Sequence, residues 1–398
     1  MKRILVPILV GSLLLAGTLA CALPSPGTPA PTEPPLPASE IPVGSEVPPE
    51  TVAPPPETAV PPPEPSVVVQ NGGQFEIRAL DGTLLESRSA AGLSWAQPGV
   101  AQVVGDAIYY VDTGGSGLGG MVKRVTPGGT EELPFTAVPS LTSLAFAVSE
   151  DQSRIAWGTS TWSGTAPTSE LWMANIDGSG AQMIVQSNPN DAIDDFYVLE
   201  AVQWTPDNNL IYAWQISGIG GYILFFGYSS LYEYNVATST SAPLAPFMES
   251  PGAPCWDAIS PDYAYAAGGC GFEADGRHMV EVELATGVQS ALPLWPVDQG
   301  QLGAAAYSPS GAQLAYAIAR GNMDDEYGIL LVRPSRGAAL QSVGEIGPGY
   351  IDRVFWADEG RLVIGYWQGE TAETGLITMD PLSWSSIGDG RPVGLMWP

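Results

Sequence analysis

From residue 67 to the end of the chain, short runs of alternating apolar and polar positions recur with turns between them. Leu171-Trp172-Met173-Ala174-Asn175-Ile176-Asp177-Gly178 is the clearest copy, and its equivalents begin at Phe75, Val122, Leu231, Val280, Ile329 and Leu376. The seven starts are 47, 49, 60, 49, 49 and 47 residues apart. Upstream in each unit stands an apolar strand closing in a turn of the S/T-P-D-G sort. Val202-Gln203-Trp204-Thr205-Pro206-Asp207, Ala258-Ile259-Ser260-Pro261-Asp262 and Ala306-Tyr307-Ser308-Pro309-Ser310-Gly311 are examples, and Trp95-Ala96-Gln97-Pro98-Gly99 is a weaker one. A period of two with β-branched and aromatic residues marks half-buried strands. Proline early in the turn and glycine late in it make tight hairpins. Four short strands repeated about every 49 residues predict an all-β chain, a seven-bladed β-propeller of four-stranded antiparallel blades; six or eight blades are the alternative counts.

The repeat resembles the TolB-type, PD-repeat branch of WD-like propellers. Its best copies are Ser149 to Gly178 and Ser308-Pro309-Ser310-Gly311, and the likeness covers residues 67–398. The resemblance implies the fold. It does not carry over TolB's envelope-complex role, because TolB's additional N-terminal domain has no counterpart in the pattern and such motifs specify shape better than activity. Ring closure is legible as well. The first unit offers Val67-Val68-Val69, Phe75 to Leu80 and Leu84-Leu85-Glu86 with no inner strand before them, and the chain ends in Val393-Gly394-Leu395-Met396-Trp397. The last strand is expected to complete the first blade, removing sheet edges that would template aggregation.

Residues 1–66 have a different grammar. Met1-Lys2-Arg3 and the apolar run Ile4 to Ala20 read as a signal peptide (1–20), with an uncleaved membrane anchor or plain secretion as the alternatives. Thr18-Leu19-Ala20-Cys21 resembles the lipobox of bacterial lipoproteins, departing from it at Thr18, and the resemblance makes Cys21 the lipid-attachment residue. Residues 22–66 hold 17 prolines and six glutamates with no lysine or arginine. They read as a disordered tether rich in polyproline II, able to reach on the order of 140 Å at about 3.1 Å per residue. The expected location is therefore outside the cytoplasm, membrane-anchored through the lipid alone.

Charge narrows the function. The chain carries 42 Asp and Glu against 14 Lys and Arg and a single His, a formal net charge of -28. A nucleic-acid partner needs a basic footprint that is missing here. One imidazole cannot build a histidine-ligated metal site. No G-x-S-x-G, P-loop or dinucleotide fingerprint occurs. His278 beside Arg277 reads as a surface residue. Acidic runs leave calcium as the one possible cofactor, at Asp191, Asp194 and Asp195, with Asp324, Asp325 and Glu326 as a second acidic run; neither has EF-hand spacing. Cys255 and Cys270 flank a hairpin and, in an exported chain, are expected to pair.

With the inner strand first in each blade, the S/T-P-D-G turns share one rim. The long connections, at Gly158–Ser169, Asn188–Asp195, Gly218–Ser230, Gly321–Tyr327 and Gln368–Thr374, share the other. That rim collects Trp162, Tyr222, Phe225, Phe226, Tyr228 and Trp367 together with the acidic runs, the mixture that interfaces favour. Most tryptophans are expected in the core. The reading is a monomeric, non-catalytic binding propeller presenting its loop-rich rim to an envelope or extracellular protein, glycan or peptide. The alternative is a carboxylate- or metal-centred propeller enzyme, a lyase or hydrolase acting on polysaccharide.

Overall fold

A computed structural model of the chain describes residues 63–398 apart from 95–98, 163–166, 188–196, 217–227, 229, 246–255, 270–278, 294, 296–299, 321–326 and 370. Among the described residues twenty-eight strands form seven four-stranded sheets, each an antiparallel blade. The seven repeat starts all fall on the third strand of their blade. The C-terminal strand Arg391–Met396 pairs with Ser66–Asn71, Val68 opposite Gly394, and so supplies the innermost strand of blade one. The innermost strands of blades two to seven are Ala101–Val104, Thr142–Val148, Tyr197–Trp204, Ala258–Ile259, Gln301–Tyr307 and Tyr350–Asp358.

The strands near the axis are more than half-buried. Ala107–Asp112 in blade two has five consecutive buried residues. Ile108 and Tyr110 pack toward blade one with Val68 and Phe75, whereas Tyr109 and Val111 pack toward blade three with Phe146 and Trp157. Successive side chains leave a strand on opposite faces. In a ring of radially stacked blades each of those faces meets a neighbouring blade, so both are apolar. Outer strands keep the solvent-facing pattern, as in Leu382–Asp389. Tryptophans follow the same logic: Trp157, Trp204, Trp256 and Trp356 are buried, Trp384 and Trp397 exposed. Trp204 and Trp356 also donate their indole N–H to Ala147 O (3.0 Å) and Ala306 O (2.9 Å) of the preceding blade.

The short turns share one construction. In Ser149–Gln152, Thr205–Asn208, Ser260–Tyr263 and Ser308–Gly311 the fourth residue donates its N–H to the first carbonyl at 2.8–2.9 Å. That fourth residue has φ of +54, +59, +56 and +71° respectively. The conformation suits glycine, yet three of the four positions hold Gln152, Asn208 and Tyr263. Tyr263 recovers part of the strain by donating its hydroxyl to Trp204 O (3.0 Å) in the preceding blade.

One sequence assignment changes, and another lies outside the described residues: of the weaker turn copy Trp95–Gly99, residues 95–98 are not described, while the inner strand of blade two is Ala101–Val104 with its turn at Gly105-Asp106. Two of the five expected long loops are largely strand. Arg154–Trp162 pairs with Pro167–Asn175, and Arg361–Gln368 pairs with Thr371–Met379 around Gly369. The alternating Thr and Ser of the first hairpin satisfy β geometry and carry the ladder past where composition alone suggested a loop.

Candidate functional site in the central channel

The innermost strands surround a channel that holds a cavity of about 820 Å³. Every blade contributes to its wall. Pro261, Pro309, Glu150 and Trp397, all on turns or chain ends after an inner strand, mark the mouth on the short-turn rim. Between mouth and depth the wall mixes apolar side chains, Val103, Phe146, Val202, Val354, Val393 and Leu395, with the polar Gln102, Gln203 and Tyr307. At depth stand Arg353, four residues into the innermost strand of blade seven, and Tyr228, from the segment joining the second and third strands of blade four. Tyr228 is fixed by a two-way backbone bridge to Trp256, 2.8 Å in each direction.

These two belong to a belt of charged and titratable groups. Arg391 bonds Asp352 Oδ2 at 2.6 Å, their side chains 5 and 2 % exposed. Trp367 donates its indole N–H to the same oxygen at 3.0 Å and stacks on Tyr350. Asp352 Oδ1 has no hydrogen-bond partner; it lies against Gly365, where an added Cβ would sit 3.0 Å from it and 2.8 Å from Pro392. Arg353 itself is 7 % exposed. Burial, and then the charge of Arg391, pull its pKa down to about 9. Arg353 and Tyr228 come from blades on opposite sides of the ring, yet each acts on the other's ionisation. The arginine therefore spans toward the axis.

Two carboxyl groups complete the belt. Burial raises Glu200, on the innermost strand of blade four, to about 7. Burial raises Asp257, which precedes the innermost strand of blade five, to about 8 against the lowering effect of the Gly269 N–H. Both retain some exposure. Asp257 Oδ2 is buried without a partner and lines a side recess of about 260 Å³ that shares Tyr228, Val202 and Tyr307 with the main cavity. Both act on Tyr228, whose hydroxyl is raised first by burial and then by their charge. At neutral pH the belt presents a guanidinium, a phenol, the Asp257 carboxyl largely protonated and the Glu200 carboxyl about half protonated. It can receive an anion or transfer a proton.

Of the residues expected to bind, Tyr228 and Trp367 reach this belt, the first lining the cavity and the second holding Asp352. Trp162 ends a strand of blade three, its side chain outside the described atoms. Tyr222, Phe225, Phe226, Asp191, Asp194, Asp195, Asp324, Asp325, Glu326, Cys255, Cys270 and Cys21 lie outside the described residues. Among the described residues no three His, Cys, Asp or Glu side chains come together as metal ligands. Sequence reasoning missed Arg353, Asp352, Arg391, Glu200 and Asp257. One signal was available: a charged residue inside an otherwise apolar inner-strand run, as in Val198-Leu199-Glu200-Ala201-Val202 and Tyr350-Ile351-Asp352-Arg353-Val354.

No family model and no curated protein matches the sequence. Solved structures do share its architecture. A protein of Lactobacillus plantarum is 16 % identical with a TM-score of 0.50, over 84 % of this chain and 99 % of that one. Puromycin hydrolase is 14 % identical with a TM-score of 0.51, over 83 % of this chain and 54 % of that one. TolB from Acinetobacter baumannii is 17 % identical with a TM-score of 0.44; the match covers 70 % of this chain and spans 62 % of TolB. At these identities the likeness is one of fold alone.

Proposed function

We propose that the protein is an exported, lipid-anchored, non-catalytic propeller that binds its ligand in the central channel. The observation that carries this reading is the cavity itself. It is about 820 Å³, walled by all seven blades, lined by a mixture of apolar and polar side chains, with Arg353 on its wall. Ligand sites are commonly concave, mostly apolar and supplied with a few convergent polar groups, in volumes of about 300–1,000 Å³. The signal-like residues 1–20, Cys21 and the proline-rich tether support export and anchoring. The long-loop rim, with Tyr222, Phe225 and Phe226, is a further contact surface in the same proposal, facing an envelope or extracellular protein, glycan or peptide.

Ala306→Trp fills the cavity from its wall. It should abolish ligand capture from native membranes while leaving the melting temperature within a few degrees. Unchanged capture by a folded variant would remove the channel from the proposal. Cys21→Ala should lose the acyl mass in mass spectrometry, and an unmodified Cys21 in the wild type ends the anchor.

A second reading, a lyase or hydrolase acting on polysaccharide, is favoured by one observation: Glu200 and Asp257 are raised to about 7 and about 8. Catalytic acids are tuned to that range. Turnover of a polysaccharide panel that disappears in Glu200→Gln and Asp257→Asn would establish it; absence of turnover across the panel leaves the binding reading in place.

A further inference from the structure

The recess beside the channel has the opposite chemistry to the wall that carries Arg353. Its volume is about 260 Å³, and it opens among the innermost strands of blades four, five and six. Arg353 is not on its described lining; the acid there is Asp257. The Gly269 N–H supports that carboxyl, yet Oδ2 is buried with no hydrogen-bond partner. Two other polar side chains of the lining are engaged. Gln203 donates its amide to the Tyr263 hydroxyl at 3.2 Å, and Tyr307 donates its hydroxyl to Glu281 at 2.9 Å. Three aromatic side chains, Tyr228, Trp256 and Tyr307, share the lining with the aliphatic Val202, Leu231 and Ile259.

We propose that the recess binds a methylated ammonium group, held by the Asp257 carboxylate and the side chains of Tyr228, Trp256 and Tyr307, the rest of the ligand lying in the main cavity. This rests on the reading of the channel as the binding site and names the group by which its ligand is held. A buried carboxyl oxygen without a partner is destabilising, and an apposed cation relieves it. Aromatic rings attract cations, and quaternary ammonium ions are the ligands that aromatic-lined sites take. N-methyl groups also suit Leu231 and Ile259, against which the N–H donors of a primary ammonium find no acceptor. Whole ligands occupy pockets of about 300–1,000 Å³, so the recess suits a head group. It shares Val202, Gln203, Tyr228, Ala306 and Tyr307 with the main cavity, which leaves room for a body. The net charge of -28, with Glu150 at the mouth, draws a cation toward the channel.

Binding exchanges one cation for another. With a pKa of about 8, Asp257 holds its proton at neutral pH. The arriving ammonium takes the proton's place: the carboxyl O–H bond breaks, the electron pair stays on the carboxylate, and the proton passes to buffer. Tyr228 and Tyr307 share the recess with Asp257. Glu200 and Arg353 act on Tyr228, and Glu281, Arg333 and Arg336 act on Tyr307. Between pH 6 and pH 8 Asp257 and Glu200 both move toward the carboxylate, while Arg353, at about 9, keeps most of its charge. Affinity for a cation therefore rises across that interval, and affinity for an uncharged ligand holds.

Calorimetric titration of the purified protein with choline, its uncharged carbon isostere dimethylbutanol, and ethanolamine tests this at pH 6 and pH 8. At pH 8 choline should bind at least tenfold tighter than dimethylbutanol and several-fold tighter than ethanolamine. Its affinity should fall at least threefold at pH 6, and its binding heat should vary with the buffer as a proton is released. Asp257→Asn should weaken choline at least tenfold and leave dimethylbutanol unchanged. Equal binding of choline and dimethylbutanol overturns the ammonium, and tighter binding of ethanolamine overturns its methylation. No binding of choline at millimolar concentration ends the inference. The channel reading is judged separately, by capture from native membranes. Capture lost in Ala306→Trp but indifferent to Asp257→Asn and to excess choline keeps the channel and removes the ammonium; capture unchanged in Ala306→Trp ends the channel reading itself. The wild-type selectivities decide the matter even if Asp257→Asn fails to fold.

Discussion

The cleft between blades five and six and the belt across the channel both bury carboxyl groups among arginines, with opposite outcomes. In the cleft, Glu281 is 5 % exposed. It receives two bonds from Arg333 (2.8 and 2.6 Å) and one from the Tyr307 hydroxyl (2.9 Å). Arg336 adds its charge at 3.6 Å while lying over the Tyr265 ring. Burial pushes Glu281 up, but Arg333's hydrogen bonds and charge outweigh it and hold the carboxyl below its ordinary range. In the channel, Glu200 and Asp257 have burial without a bonded cation among the described residues and end at about 7 and about 8. Burial alone therefore does not distinguish structure from function in this molecule. Saturation of the carboxyl oxygens does. Both oxygens of Glu281 are bonded, and the cleft works as a clamp between blades although Arg333 Nε has no partner; among the described residues the channel keeps Asp257 Oδ2 and Asp352 Oδ1 without partners, as a site does.

Paired substitutions test that difference most severely. Arg333→Met leaves Glu281 buried without its principal partner and should cost about 3–5 kcal/mol in urea unfolding, the usual effect of breaking a buried pair. Glu200→Gln removes a carboxyl that burial already keeps from ionising and should change stability far less. Equal losses in the two variants would erase the distinction.

A smaller effect appears with pH. Glu200 and Asp257 have native pKa values raised above the unfolded values of about 4.3 and 3.9. The native state thus binds the extra protons between those limits, and the stability these groups contribute is complete below pH 4 and lost as pH rises through about 7–8. Glu281, held low, contributes in the other sense: its share is present above the unfolded pKa and lost on acidification through its lowered native pKa. Glu200→Gln with Asp257→Asn should raise the melting temperature at pH 8.5 relative to wild type and flatten the slope from pH 5. A slope unchanged by the double substitution would show that these carboxyls are not the ones titrating.

The fold was legible because the repeat writes the same local physics seven times. A left-handed turn residue, an inner-strand tryptophan and an alternating third strand need only nearby sequence to be recognised. Closure was legible too, since Val393 to Trp397 has the pattern of a strand that blade one lacks. The channel belt was not. Arg353 and Tyr228 are 125 residues apart in sequence and approach only because seven innermost strands turn about one axis. No spacing rule records that approach. Attention went to the aromatic and acidic loops, where composition stands out, while the charges that matter sit singly inside apolar strands and read there as interruptions. Tyr228 and Trp367 were found for their aromatic character, although the structure gives each a different task.

Trp367 offers the finest division between those tasks. Its indole N–H reaches Asp352 Oδ2 at 3.0 Å, its ring stacks on Tyr350 at 6.2 Å between centroids, and it does not line the channel cavity. It is a positioning residue for the Asp352–Arg391 pair. Trp367→Phe keeps a ring against Tyr350 and removes the N–H, leaving Asp352 Oδ2 with Arg391 alone. A lost hydrogen bond to a buried charge costs about 1.5–3 kcal/mol, and stacking by phenylalanine recovers part of it, so a net loss of about 1–2 kcal/mol in urea unfolding is expected. Ligand capture by the channel should stay within about threefold of wild type, because Trp367 does not line the cavity. A tenfold loss of affinity at unchanged stability would instead make Trp367 a ligand contact, as the sequence first suggested. It would also move the binding surface from the cavity to the face of the belt on the long-loop side.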